Sequence, residues 1–595
     1  MGQNQGFSIQ ITDLNHAGEG VGRKDGRVVF VPYATPGDIA VVRIVEERRG
    51  FARAELLLLE RESPDRVFPP CPVYLQCGGC QLQHISYDAQ LAYKKRRVEQ
   101  ALRRIGKLEG VPVGDCLPAP RVFHYRNKAK FSYSTRPATR GPSEVFQRWA
   151  PNHSFGDVFD PRAAGGAGDV CGAQDAGGAR NVRAVRDAPV DRDDGDGRNG
   201  LSCPDAGAGR RGFVSGFYGR RTHDVVDFNE CLIQNHTNNK VFQALNAVVA
   251  ERRIPVYGGG EGPDTVPDGS RTSGSAAGSN APREGALRHL VARCTGSGEQ
   301  ALALLVSSGG PLPEADGIAR DLMVRTPELV GVVEEVEDEE DEEGGAPMLR
   351  PGRRALGPGG RSAPGQVPCR VIRGAGLLRE RILGLEFIVS AKSFLQVNSE
   401  GMEVLYREAL RAADLSGGEV VLDAYCGIGT ISLLLARECR HVYGIEVASA
   451  AVEDAKKNAE LNHLVNCTFL AGKVEDVLSG EAGRAPGGRK AGNGAPGAGG
   501  DGRRARNHDR RELPDQVDIV VLDPPRAGCD VRALQAITCL RPARIVYVSC
   551  NPETLARDLA LLAESGFRVT QVQPVDMFPQ TAHVECVVRL DGERR

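Results

Sequence analysis

The chain has 595 residues, 41% of them hydrophobic and 26% charged, and a formal net charge of −2. That length exceeds one core and asks for several domains, and the balance excludes collagen-like and wholly disordered chains. The near-zero charge gives no global sign of a nucleic-acid partner, although the acidic run from Val332 to Gly345 can mask a basic face elsewhere.

No basic start leads into an apolar run, and no apolar stretch approaches about 18 residues, so neither secretion nor membrane spanning is expected. The sixteen cysteines then read as reduced thiols, metal ligands or nucleophiles, as suits a cytoplasmic chain. Residues 7–60 place Val, Ile and Phe at alternate positions between turns such as Asp25-Gly26 and Pro36-Gly37. This predicts a small OB-like β-barrel over 1–62. From Ser63 a Pro/Cys segment gives way to a helix near Ser86, opening an α+β central region over 63–390. Stretches 137–211, 258–284, 334–366 and 478–513 are rich in Gly, Ala, Arg, Asp and Pro without periodicity. Such composition buries too little apolar surface to order itself, so disordered insertions are expected there.

The last region, 391–595, becomes regular from about Leu415. "EVVLDAYCGIGT", "HVYGIEV", "CTFLAGKVEDV", "DIVVLDPPRAG" and "RIVYVSCNP" read as strands, each followed by a helical segment apart from the insertion. Two more strands close the chain. Alternating β and α predicts a parallel, doubly wound, Rossmann-like domain.

Four motifs carry chemistry. In "LDAYCGIGT" Gly427 and Gly429 let the backbone approach a nucleotide-like ligand, and Glu446 ends the second strand, where a carboxylate can hold ribose hydroxyls. Ser432 breaks the full dinucleotide glycine pattern, which favours S-adenosylmethionine over NAD. In "LDPPRAG" Asp523 ends the fourth strand, aimed at the crevice between cofactor and substrate. Enzymes that methylate exocyclic amines carry an aromatic after the Pro-Pro; Arg526 stands here, so another means of activating the acceptor is required. Cys550, in "VYVSCNPETLARD", ends the fifth strand just before an Asn551 N-cap and Pro552. The helix dipole there is expected to favour a thiolate. A thiolate can add to carbon 6 of a pyrimidine and make carbon 5 nucleophilic, and Glu585 in "AHVEC" is the candidate base for the carbon 5 proton. Cys426, Cys439, Cys467, Cys529 and Cys539 are instead expected to be structural.

Further upstream, Cys71, Cys77 and Cys80 follow a C-x5-C-x2-C spacing around Gly-Gly, the signature of a metal or cluster site. Cys231 is the fourth ligand expected, in a well-patterned stretch, and the site reads as an iron–sulfur cluster with zinc as the competitor. In "HYRNKAKFSY" Arg126, Lys128 and Lys130 share one strand face, interleaved with Tyr125, Phe131 and Tyr133. Either the bases of an RNA stack on those aromatics, or this is an ordinary half-buried strand. Gln396, in "SFLQVN", precedes the catalytic region.

Together these motifs resemble the RNA (uracil-5-)-methyltransferase family, closest to its iron–sulfur members that act on 23S ribosomal RNA. The resemblance rests on the barrel-like start, "CGGCQLQH", "YRNKAKF", "SFLQVN", "DAYCGIGT", "DPPRAG", "SCNPETLARD" and "HVE". It implies a TRAM barrel, a central domain with a [4Fe-4S] cluster held by Cys71, Cys77, Cys80 and Cys231, and a class I methyltransferase domain. It further implies Cys550 as nucleophile and Glu585 as base. Gln396, Tyr425, Thr430, Glu446, Lys473 and Asp523 fall where the family contacts S-adenosylmethionine; Thr430 and Lys473 replace an Asn common there. A monomer acting on 23S ribosomal RNA is expected. The rivals are transfer-RNA uridine methylation, cytosine-5 RNA methylation, and a non-catalytic RNA-binding or assembly factor.

Overall fold

The computed structural model describes residues 6–135, 212–258, 285–337, 369–479, 513–514 and 516–592. The four biased stretches fall outside these except at their margins. There, Glu334 to Glu337 belong to a strand, and the Glu334 carboxylate accepts from the Leu312 amide and from Arg370.

Alternation at the start of the chain closes a barrel. Strands β1 (Phe7–Leu14), β2 (Gly20–Lys24), β3 (Arg27–Val31), β4 (Ile39–Glu47) and β5 (Phe51–Arg61) run in the order β1-β2-β3-β5-β4, with β1 also paired to β4. Ile9, Ile11, Val29, Val31, Ala40 and Val42 turn inward and fill it.

Helix α1 (Tyr87–Arg104) begins after Ser86, as its sequence pattern predicts. The central sheet follows, in the order β12-β11-β10-β9-β6-β7-β8. Its strands are β6 (Lys128–Ser134), β7 (Val214–Tyr218), β8 (Val225–Asp227), β9 (Ala286–Cys294), β10 (Ala301–Ser308), β11 (Leu329–Glu337) and β12 (Arg370–Gly374). Helices α2 (His236–Arg252) and α3 (Ala315–Arg325) cover it, with α3 making the crossover between parallel β10 and β11.

A hairpin, β13 (Leu377–Ile382) and β14 (Leu385–Ser390), leads into the last region. There α4 (Ser399–Ala413), β15 (Val420–Asp423), α5 (Thr430–Ala436), β16 (His441–Glu446), α6 (Ser449–Leu461), β17 (Cys467–Ala471) and α7 (Val474–Ser479) alternate. They are followed by β18 (Ile519–Leu522), α8 (Val531–Cys539), β19 (Arg544–Ser549), α9 (Pro552–Glu564), β20 (Phe567–Val575) and β21 (Glu585–Gly592). The sheet order is β17-β16-β15-β18-β19-β21-β20. β15 to β19 are parallel, but β21 runs antiparallel to both β19 and β20, so the sheet is mixed where a parallel one was expected. The expected third strand is also shorter: after Ala471 the chain turns into α7, because Val474, Val477 and Leu478 follow a helical spacing that buries them together.

Two apolar layers sandwich this sheet. One joins α4, α5 and α6 with the hairpin residues Ile382, Leu385, Phe387 and Val389. The other joins α8 and α9 with Val98, Ala101 and Leu102 of α1. Helix α1 is therefore built into the C-terminal region. Its Lys94 ammonium lies 2.5 Å from an Asp576 carboxylate oxygen, both side chains fully buried, and Arg97 makes a paired contact with Glu553. Gln90 bonds the Gln580 side chain and backbone. The segment 576–584, which leads into β21, is thus pinned by a helix almost five hundred residues upstream in sequence. No helix among the described residues is long and apolar enough to cross a membrane.

Candidate active site

The strand order reverses direction at β15, between β16 and β18, the place where an open α/β sheet binds ligands beyond its strand ends. Nearly every residue singled out by sequence gathers on that edge. Tyr425 follows β15, Glu446 ends β16, Lys473 follows β17 exposed at the rim, Asp523 follows β18 and Cys550 follows β19. Thr430 opens α5, its hydroxyl 3.2 Å from that of Tyr406. Gln396 is buried in the link between β14 and α4, with its carbonyl accepting from Asn127.

The turn after β15 is shaped for a close-lying ligand. Gly427 and Gly429 have φ of 54° and 85°, and a Cβ on Gly427 would meet nothing within 4 Å. One Glu446 oxygen accepts the Gly427 amide at 3.2 Å and the other the Ala448 amide at 2.8 Å, which fixes the carboxylate beside the turn. Asp423, not singled out by its sequence, is buried under it. One oxygen accepts from Ser432 at 2.6 Å, the other has no partner, and burial raises its pKa to about 6. A buried orphan oxygen beside an open glycine turn fits a polar, cationic group such as the amino acid end of S-adenosylmethionine.

Three adjacent strand ends bring the candidate reacting groups together. In the antiparallel pair, Ser549 faces Cys586, so Cys550 and Glu585 are the next opposed positions. In the parallel pair, Leu522 faces Tyr547, which brings Asp523 alongside. Glu585 is only 2% exposed; burial, and then the Asp523 charge, push its pKa up to about 8, against a smaller opposing effect from Arg526. Burial and the Asp423 charge raise Asp523 to about 7.

Cys550 corrects one expectation. Asn551 does cap α9, accepting from the Glu553 amide at 3.1 Å, and Pro552 is its first residue. Yet burial, followed by the charges of Glu585 and Asp523, lifts the thiol to about 11, with Arg526 opposing. The resting group is a thiol: desolvation and two carboxylates outweigh one helix end. Arg526, met in the sequence only as the residue replacing an aromatic, is the cation that faces both Cys550 and Glu585. Among the cysteines expected to be structural, Cys426, Cys439 and Cys529 are buried and Cys539 is exposed.

A second assembly lies next to this one. Cys71, Cys77, Cys80 and Cys231 line a cavity of about 730 Å³ together with Arg126 and His583, the latter two residues before Glu585. Burial pushes Cys71, Cys77 and Cys231 up to about 12 and Cys80 well above its ordinary value, and the thiols raise one another. Cys71 is buried and Cys77, Cys80 and Cys231 are half-buried, and four thiols facing one cavity are a candidate ligand set for a metal. Among the described residues no three of them bring their sulfurs within 4.8 Å of one another. One tetrahedral zinc would hold sulfurs about 3.8 Å apart.

The aromatics of "HYRNKAKFSY" are not available to RNA bases. Tyr125, Phe131 and Tyr133 are 3%, 0% and 2% exposed, and Phe131 stacks on Phe217 and Phe242 in the central core. The period of two that puts Lys128 and Lys130 outward turns these rings inward. The bland strand is the one that forms.

Comparison with known proteins agrees with this geometry. Residues 3–57 match the TRAM domain, 415–482 a methyltransferase domain, and 505–593 the tRNA (uracil-5-)-methyltransferase family. A protein of Halalkalibacterium halodurans named as an uncharacterized RNA methyltransferase is 32% identical over 99% of this chain and 97% of its own length. One of Listeria monocytogenes with the same description is 33% identical over 99% and 98%. The crystal structure of the Pyrococcus abyssi tRNA (uracil-54, C5)-methyltransferase with S-adenosyl-L-homocysteine has the same fold, with a TM-score of 0.58 at 22% identity over 98% of this chain and all of that one.

Proposed function

The chain belongs to the RNA (uracil-5-)-methyltransferase family, and on that premise we propose that its substrate is a specific uridine in 23S ribosomal RNA. It is an S-adenosylmethionine-dependent RNA methyltransferase with an N-terminal TRAM domain. The observation that carries the mechanism is the meeting of Cys550, Glu585 and Asp523 at three neighbouring strand ends.

S-adenosylmethionine supplies an electrophilic methyl group. Glu446 would hold its ribose, and Gln396, Tyr425, Thr430, Lys473 and Asp523 would complete its surroundings. The Cys550 sulfur adds to carbon 6 of uracil while its proton passes to Asp523, and the electron pair gathers at carbon 5, which takes the methyl. Glu585 removes the carbon 5 proton, and the released pair expels the sulfur, which recovers its proton from Asp523. A carboxylate held near pH 8 is a stronger base than an exposed one, which suits a carbon acid.

Cys71, Cys77, Cys80 and Cys231 would hold a [4Fe-4S] cluster. With four thiolates there is no open iron, so its part is to shape the RNA-facing cavity. The ribosomal target rests on this thiol set, which the resemblance links to enzymes acting on 23S RNA. Unmodified transcripts of 23S RNA and of transfer RNA, each incubated with methyl-labelled S-adenosylmethionine and digested to nucleosides, test the reading. Label in 5-methyluridine from the ribosomal transcript is expected. Label from transfer RNA alone overturns the target, and 5-methylcytidine or no label overturns the reaction.

A further inference from the structure

Four polar residues of "SCNPETLARD" take no part in the chemistry above, yet they fall on one face of α9, at Asn551, Thr554, Arg557 and Asp558. Each one grips the loop that follows Asp523. The Arg526 carbonyl accepts from the Asn551 amide and the Thr554 hydroxyl, both at 3.1 Å. The Arg557 guanidinium donates to the Ala527 carbonyl at 3.0 Å and the Cys529 carbonyl at 3.2 Å. One Asp558 oxygen accepts the Cys529 amide at 2.8 Å and the Tyr547 hydroxyl at 2.7 Å; the other accepts from Arg557 at 2.8 Å. Asp558 and Tyr547 are fully buried. The contact is so close that a Cβ on Gly528, whose φ is 78°, would lie 2.5 Å from both the Arg557 and Asp558 side chains.

The helix that begins at the nucleophile thus also holds the loop that carries Asp523 and Arg526. The Asp558 bonds to the Cys529 amide and the Tyr547 hydroxyl are buried and charge-assisted, and bonds of that kind are stiff; those to the Arg526 and Ala527 carbonyls lie at the surface and add geometry. We infer that Asn551, Thr554, Arg557 and Asp558 form a clamp that fixes the Asp523–Arg526 loop against Cys550, with Arg557 and Asp558 as positioning residues for covalent attack on the base. The inference rests on the reaction proposed above. The clamp keeps the proton acceptor and the cation beside the thiol at the moment it adds to carbon 6, and a displacement of about 1 Å in such a group can cost on the order of 100-fold in rate.

Arg557 is the residue to change, because its side chain is 45% exposed. The rate of adduct formation with RNA containing 5-fluorouridine, the melting temperature and hydrogen exchange, over residues 523–530 and over the rest, are measured in the full chain. In Arg557→Ala the adduct rate is expected to fall about 10–100-fold. Exchange over residues 523–530 should rise well above that in the rest of the chain, and the melting temperature should fall, because the fully buried Asp558 carboxylate loses its guanidinium. Arg557→Lys keeps one carbonyl contact but not the fork, so it should recover part of the rate. Asp558→Asn, which keeps the shape but weakens three bonds, should behave like the alanine variant. An adduct rate equal to wild type in Arg557→Ala overturns the clamp while the proposed reaction stands. Exchange that rises across the whole chain as much as in the loop also overturns it, leaving a role in folding only. A wild-type chain that forms no adduct removes the reaction, and the clamp's part in it, together.

Discussion

Replacing Glu585 with glutamine should stabilise this protein at alkaline pH while ending its turnover. The carboxyl is almost completely buried at the start of β21, and its pKa rises from an ordinary 4.5 to about 8. In the unfolded chain the group ionises near 4.5; in the folded chain it keeps its proton until about 8. Its contribution is therefore intact below the unfolded value and is lost as pH climbs through the folded one. Each tenfold change in proton affinity is worth about 1.4 kcal/mol, so the span between those two values sets a ceiling of about 5 kcal/mol. Asp523 titrates beside it and carries part of the effect, so about 2–4 kcal/mol is the expected gain for Glu585→Gln at pH 8.5. At pH 4.5 the two proteins should be nearly equal, because wild type is then neutral at this position too. Urea unfolding of the ligand-free protein at pH 4.5, 6.5 and 8.5 measures the difference. The kcat of wild type should rise with pH as Glu585 ionises. Equal stability across the whole range, or a variant less stable at pH 8.5, would refute the burial argument.

Three further outcomes follow from other parts of the molecule. Lys94→Ala leaves the Asp576 carboxylate buried without its ammonium, and one of its oxygens already lacks a partner; denaturant unfolding should show a loss of about 3–5 kcal/mol. Gly528→Ala puts a methyl into the Arg557 and Asp558 side chains at a left-handed backbone position, which should cost roughly 2–4 kcal/mol by the same measurement. Anaerobic purification should yield a brown protein with about four irons per chain, and Cys80→Ser should lose most of that iron; a colourless zinc protein would contradict the cluster.

Much of this is readable in the amino-acid order. The alternating pattern of residues 7–60 leads to the barrel because period two with short turns allows little else, and the β–α rhythm after Leu415 places Glu446, Asp523 and Cys550 at strand ends. The N-cap of α9 is legible because Asn-Pro is a local signal. Long-range physics is not legible. Nothing in "CNP" shows that Glu585 and Asp523 will hold the thiol protonated, because those charges arrive from other strands. Nor does "KAKFSY" show which of its faces lies inside; the basic residues point to RNA, while the core takes the rings. The docking of α1 against α9 and the segment before Glu585 depends on Lys94, which as the first of four consecutive basic residues, Lys94 to Arg97, reads as a surface residue. The polar stripe from Asn551 to Asp558 is visible as a motif, but its partner loop is not.

During turnover Cys550 should become covalently bonded to the target pyrimidine beside Glu585, and that bond can be trapped. RNA carrying 5-fluorouridine at the target is incubated with the protein and S-adenosylmethionine, the complex is digested with protease and nuclease, and the cross-linked peptide is sequenced by mass spectrometry. The expected product is the Cys550 peptide joined to a methylated 5-fluoropyrimidine, absent from Cys550→Ala. A link at another cysteine, or methylation of ordinary RNA by Cys550→Ala, would contradict it.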